Sequence, residues 1–221
     1  MRVLTERSRS PFEQLRQDVV WDMASSIQVR LATKSDIDQM ARALARAFWD
    51  DPLTSWLFPN DATRDNKLYR MFKAQIAKLV LPKGATYTTD AHAGAALWEP
   101  PGTSKIGLLT IARVAPSFGP IFGTRLPALF KMIEAIDSKH PREPSWYLFT
   151  LGTDPPHQGQ GVGGALMSPV LDRCDTEGLP AYLESSKLDN IPFYERAGFR
   201  VTGEISIRSG PTVWPMWREP R

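Results

Sequence analysis

Ile27, Val29 and Leu31 are apolar at alternate positions, the spacing of a half-buried strand over residues 27–32. Thr33-Lys-Ser-Asp36 then supplies helix-capping oxygens, and Ile37, Met40, Ala41, Leu44, Ala47 and Phe48 recur at helical spacing. An amphipathic helix is therefore expected on the sheet, ending at Asp50-Asp-Pro52. The aromatic stretch Trp49 to Phe58 reads as a loop between helices, either a hydrophobic plug with Asp50 and Asp51 solvated or the lining of a pocket. Leu68, Met71, Phe72, Ile76 and Leu79 predict a second helix over 61–81, facing inward. Residues 84–89 and 94–98 read as a hairpin joined by Asp90-Ala-His-Ala. No clear period runs through 103–119, whereas Leu126, Leu129, Phe130, Ile133 and Ile136 mark another helix, broken by His140-Pro141 and Pro144.

At Trp146 the pattern changes to a near-continuous apolar run through Leu151, which argues for a central strand buried on both faces. The loop Gly152-Thr-Asp-Pro-Pro-His-Gln-Gly-Gln-Gly-Val-Gly-Gly164 follows and opens onto a helix whose inner face is Leu166, Val170, Leu171 and Cys174. Pro169 inside that helix removes a hydrogen bond and is expected to kink it. Ala181 to Ser185 reads as the next strand, Asn190 to Ala197 as a short helix closed by Gly198, and 200–207 and 212–217 as two final strands.

The chain of 221 residues is long enough for one sizeable core and short for two. It divides into a polar extension, 1–26, with a loose helix around Phe12, Leu15 and Val19, and one domain, 27–221. Met23-Ala-Ser-Ser precedes the first apolar run, which marks the first 22 residues as an appended tail or an upstream start. A net charge of +3 spread along the chain does not imply nucleic acid and suits an anionic small ligand. No apolar run approaches a membrane span of about 18 residues. Cys174 is the only cysteine, which excludes an internal disulfide and suits a cytoplasmic setting. His92, His140 and His157 are scattered, so no metal is expected.

Four of the seven residues from Gln158 to Gly164 are glycine, so ligand can approach the backbone amides there. Three phosphate-binding readings compete. Gly159 and Gly164 have P-loop spacing, but Ala165 and Leu166 stand where the lysine and hydroxyl are needed, and that reading fails. Gly159, Gly161 and Gly164 match the dinucleotide motif, with Glu184 at the ribose-binding distance. Its setting is poor: Asp154-Pro155-Pro156-His157 separates strand from glycines, and only 37 residues follow Glu184. The third reading is the pyrophosphate of an acyl-coenzyme A.

Gln158-x-x-Gly161-x-Gly163 after an extended run resembles the pyrophosphate loop of the GNAT superfamily of N-acetyltransferases, and Leu188-Asp-Asn-Ile-Pro-Phe-Tyr194-Glu-Arg-Ala-Gly-Phe199 resembles that family's second signature. Within the family, the segments 29–36, 140–146, 183–185, 190–199 and 210–214 resemble the puromycin N-acetyltransferases. The resemblance implies an α/β (α+β) fold, a mixed, mostly antiparallel sheet of six to seven strands flanked by helices. It also implies acetyl-CoA as cosubstrate, bound by Leu151, Gly152, Thr153, Gln158, Gly159, Gln160, Gly161, Val162, Gly163, Gly164, Asn190 and Tyr194. The strand ending near Leu151 would splay from its neighbour and offer main-chain groups of Leu151 and Thr153 to the pantetheine arm, with Gly152 as a bulge between them. Amide donors there would also hold the thioester oxygen as it gains charge.

Tyr194 matches the family's general acid, since a phenol is protonated at neutral pH. Asn190 matches a cofactor-contacting position. For the base, Glu184 is the first candidate and Glu99 the second, each with a salt-bridged or solvated role as the alternative. Gln160 stands where relatives often carry a cation. The expected activity is direct transfer, in a ternary complex, to the primary amine of a small molecule such as puromycin, by a monomer or homodimer. The alternatives are a protein or peptide N-acetyltransferase and a noncatalytic acyl-CoA sensor.

Overall fold

The computed structural model describes residues 27–103 and 108–221, so the expected extension 1–26 lies outside the described residues. In chain order its elements are β1 (Val29–Leu31), α1 (Ile37–Ala47), α2 (Pro52–Leu57), α3 (Asp61–Gln75), β2 (Thr86–Thr89), β3 (Gly94–Glu99), α4 (Leu108–Phe122), α5 (Leu126–Asp137), β4 (Trp146–Thr153), α6 (Val162–Glu177), β5 (Ala181–Ser185), α7 (Ile191–Arg196), β6 (Arg200–Val201), β7 (Ile205–Ser206) and β8 (Thr212–Arg218). They form an eight-stranded mixed sheet in the order β1-β2-β3-β4-β5-β8-β6, with β7 also on β8. Among the described residues only β4 and β5 pair in parallel, and the other pairs are antiparallel.

The sheet is covered on both faces, which is why β3 and β4 read as near-continuous apolar runs. On one face Leu166, Met167, Val170 and Cys174 of α6 pack against Ala96, Trp98, Leu148 and Leu183. On the other, Met40, Ala41 and Leu44 of α1 and Leu68 and Phe72 of α3 pack against Ala95 and Leu97. Asp36 anchors the start of α1, accepting the Thr33 N–H at 2.7 Å and N–H groups of both terminal Arg30 guanidinium nitrogens at 2.8 Å.

Several expectations need correction. Residues 49–58 are not all loop, because Asp51 caps α2 and Pro52 opens it. Two helices, not one, separate β3 from β4; α4 persists through Pro116 and Pro120, residues that erased its sequence period. The strand expected over 200–207 is two, β6 and β7, because Pro215 on β8 has no N–H to continue the ladder between them. The helix over 126–137 forms as expected, but Phe130 and Ile133 on it are exposed, 61% and 38%.

Candidate active site

The site is built where β4 and β5 part. These parallel strands pair only at Trp146↔Ala181 and Tyr147↔Tyr182, although β4 continues to Thr153 and β5 to Ser185. On its other edge β4 stays paired to β3 as far as Thr153, with one break: Leu97 faces Thr150 and Trp98 faces Leu148, which leaves Phe149 as an extra residue. A bulge bends its strand, and this one sits where β4 begins to leave β5. The expected bulge at Gly152 is therefore misplaced, since Gly152 pairs regularly with Ala95. Gly152 is required for a different reason. A Cβ there would come within 2.7 Å of Leu44 Cδ2 and 3.0 Å of Phe48 Cε2, so its absence lets α1 lie close on β4.

The edge facing the splay follows from the alternation of strand hydrogen bonding. Asp154 N–H donates to Ala93 O, so residues 152 and 154 point their main-chain groups at β3, and Leu151 and Thr153 point theirs into the gap. The Thr153 carbonyl accepts the Gln158 side-chain amide at 3.1 Å.

Past the gap, Pro155–His157 makes one 3₁₀ turn and the chain enters α6 at Gly161. Gly159 and Gly161 hold φ of +72° and +83°, which glycine adopts readily, and a Cβ on Gly159 would project into open space. No side chain caps Gly161, so the first N–H groups of α6 face that space at the positive end of the helix dipole. This cradle fits a pyrophosphate. Gln160 donates to Pro156 O at 3.0 Å, Gly163 is packed under the Phe193 ring, and Val162 is buried in the core. A residue missed from sequence, Arg46 of α1, fixes the loop's entrance by a bidentate pair with Asp154, at 2.7 and 2.5 Å.

Tyr194 of α7 is buried among Leu183, Phe199 and the α6 side chains. Burial first, and the Asp51 charge second, push its phenol well above the ordinary tyrosine value, so it is a held O–H donor. Asn190 is exposed at the end of the preceding turn. Glu184 lies on the opposite face of β5, because side chains alternate and Leu183 belongs to the α6 face. Its Oε2 accepts the Tyr147 O–H at 2.7 Å; its Oε1 is buried with no hydrogen-bond partner among the described residues. Glu99 is also buried but paired with Lys83 Nζ at 2.7 Å, and burial raises its carboxyl pKa despite that cation. Tyr194, the expected acid, and Glu184, the first base candidate, therefore lie on opposite faces of the strand at which the splay begins.

Asp51 is not solvated. It is 3% exposed, accepts the Leu53 and Thr54 N–H groups at 2.9 and 3.1 Å, and takes the Ser186 hydroxyl on its second oxygen. Asp50 pairs with Lys187 at 2.7 Å. Together they tie α2 to the segment between β5 and α7. An Asp before a Pro is a capping signal legible in sequence; its tie to Ser186, 135 residues away, is not.

A splayed parallel pair beside a glycine-rich helix start is the arrangement that the sequence resemblance to acyl-CoA-dependent N-acetyltransferases implies. Residues 128–199 match the model of the acetyltransferase (GNAT) family. An uncharacterized N-acetyltransferase of Schizosaccharomyces pombe is 32% identical over 200 residues, 84% of this chain and 80% of that one. The chain belongs to the GNAT family and is an N-acetyltransferase, of a family that uses acetyl-CoA. The crystal structure of a Corynebacterium glutamicum protein, described as histone acetyltransferase HPA2 and related acetyltransferase, is similar at 28% identity, with a TM-score of 0.69 over 89% of this chain and 97% of that one. A Drosophila melanogaster polyamine N-acetyltransferase, at 16% identity and a TM-score of 0.58 over 88% of this chain and 100% of that one, shares the fold.

Proposed function

We propose that this chain moves the acetyl group of acetyl-CoA directly to the primary amine of a small molecule while both substrates are bound. The observation that carries the proposal is the splay: main-chain groups of Leu151 and Thr153 face a gap that leads to the Gly159 to Gly164 cradle. In this reading the cradle amides hold the pyrophosphate, and Leu151 and Thr153 pair with the amide-rich pantetheine arm. The amine, having released its ammonium proton to solvent, attacks through its lone pair; its nitrogen bonds to the thioester carbon and the carbon–sulfur bond breaks. Tyr194 gives its proton to the departing thiolate, and Glu184 takes the proton that the new amide nitrogen must lose.

Support for a small acceptor comes from α2, which Asp51 and Asp50 strap to Ser186 and Lys187. A strapped α2 favours a closed pocket over an open groove. Puromycin is the first amine to try, from the sequence resemblance. A peptide acceptor is the second reading, favoured by the description of the 28%-identical Corynebacterium protein. The buried free thiol of Cys174 suits a reducing cytoplasm. The test is thiol release from acetyl-CoA across puromycin, arylalkylamines, polyamines, aminoglycosides and a lysine-bearing peptide. Release with one of the small amines and none with the peptide is the expected result; release with the peptide alone reverses the assignment. Acetyl-CoA binding without release for any amine leaves a noncatalytic sensor.

A further inference from the structure

A cavity of about 390 Å³ opens on the face of β5 and β8 that carries Tyr182 and Trp217. Its origin lies in one residue. Pro215 directs its carbonyl away from β5, to the Thr202 N–H at 2.9 Å, and has no N–H of its own to continue that ladder. Between the pairs Val201↔Met216 and Ile205↔Val213, residues 202–204 therefore face only residues 214–215. The longer segment swings clear, and Thr202, Gly203 and Glu204 become cavity wall. Lys139 and Glu143, from the chain between α5 and β4, complete it.

Glu184 stands directly opposite Pro215 and Tyr182 opposite Trp217. Opposed residues of an antiparallel pair share a face, so the Glu184 carboxylate is on the cavity's side of the sheet. Two polar atoms on that face are fully buried with no hydrogen bond inside 3.5 Å among the described residues, the Tyr182 hydroxyl and Glu184 Oε1; the hydroxyl leans on the Glu184 carboxylate at longer range. Tyr147 already occupies Oε2 at 2.7 Å. His140 Nδ1 is 3.8 Å from Oε1, beyond hydrogen-bond reach, and its ring stands edge-on to both Tyr147 and Tyr182, at 82° to each. Burial first, then the Glu184 charge and the hydroxyl's hydrogen bonding toward that carboxylate, raise the pKa of the Tyr182 phenol, which keeps it an O–H group. Buried polar groups without a close partner are rare, and here an acceptor and a hydroxyl that meet each other only loosely lie on one face, beside a cavity walled by two aromatic rings, the carboxylates of Glu143 and Glu204 and the Lys139 cation.

We propose that this cavity is the acceptor site, and that Glu184 Oε1 and the Tyr182 hydroxyl receive the nitrogen of an amine that arrives as a single ammonium carried on an apolar or aromatic body. Trp217 supplies the flat wall for that body, and Glu143 and Glu204 favour the cation as it enters. The role in catalysis rests on the acetyl-transfer reading above; the binding site rests on the geometry alone. Calorimetric titration of the full chain with phenethylammonium chloride separates the two. One saturable site is expected, weakened about tenfold by Tyr182→Phe, the loss of one hydrogen bond to a charged group. Glu204→Lys, at an exposed position, is expected to weaken it as well. Thermal melting of each variant checks that the fold is kept. Absence of saturable binding, or equal affinity in the wild type and both variants, overturns the site. Binding that depends on Tyr182 and Glu204 without thiol release from acetyl-CoA supports the site and overturns acetyl transfer instead.

Discussion

In the proposed transfer two side chains divide the proton work, and their surroundings differ accordingly. Tyr194 has no carboxylate or amide bonded to its oxygen among the described residues, and its burial keeps the proton in place until a stronger base, a departing thiolate, is beside it. Replacing Tyr194 by Phe removes the proton and little packing. Turnover is expected to fall about a hundredfold, within the range of general acid catalysis, while the Michaelis constant for acetyl-CoA changes little. Full activity in steady-state assays of that variant would remove Tyr194 from the reaction. Glu184→Gln keeps the size and an acceptor for the Tyr147 O–H but no longer takes a proton, so its loss is expected in turnover and not in acetyl-CoA binding. Gly152 makes the third residue-scale case. A Cβ there would press on Leu44 Cδ2 at 2.7 Å and on Ala47 Cβ at 3.2 Å, and Leu44 is fully buried. Gly152→Ala is expected to cost about 1–3 kcal/mol, as overpacking does; unfolding in urea with an unchanged midpoint would place α1 farther from β4 than described.

At the scale of elements, the proposed cofactor side depends on how α6 begins. Its uncapped first turn supplies donors and a partial positive charge, but Gln160 brings no full charge and spends its amide on Pro156 O. Gln160→Lys is expected to lower the Michaelis constant for acetyl-CoA and to make it rise more steeply with salt, because a mobile cation at an exposed loop is screened. Equal constants in both proteins at low salt would show that the cradle does not meet the pyrophosphate. Much of this element was legible in the sequence: the buried run from Trp146, the glycine spacing, and β5 at its observed limits, Ala181–Ser185. What hid the rest was pairing and proline. Nothing local marks Phe149 as the unopposed residue of β4, since a bulge is a property of two strands. Pro116 and Pro120 argue against a helix where α4 runs, and a six-residue α2 is too short to show a period, although Asp51 and Pro52 signal its start. Glu184 was legible as a carboxylate on a strand; its company of Tyr147, Tyr182 and His140 comes only from the parallel register of β4 and β5.

Across the whole molecule, Asp51 joins the first covering layer to the far side of the splay, and its ionisation is linked to folding. Burial is the largest influence on its carboxyl, raising the pKa above the ordinary aspartate value, against the Ser186 hydroxyl, the Thr54 and Leu53 N–H groups and the Lys187 charge. With a folded pKa above the unfolded one, the folded state binds the proton more tightly. The carboxyl's contribution to stability is then largest below the unfolded value, about 3.9, and is lost as pH rises through the folded value. Asn in its place accepts the same two N–H groups, donates to Ser186, and carries no charge to desolvate. The melting temperature of Asp51→Asn, relative to the wild type, is therefore expected to improve as pH rises from 3.5 to 7. Asp36 runs the other way. Arg30 and the Thr33 N–H hold its carboxyl below the usual range, so its contribution is present at neutral pH and lost as pH falls below the unfolded value. Asp36→Asn is the matched control, with its deficit expected to shrink on acidification. Melting curves of the three proteins at several pH values separate the two signs. A gap between Asp51→Asn and the wild type that widens against the variant as pH rises would mean that the ionised carboxylate, held by Ser186 and Lys187, outweighs its own burial.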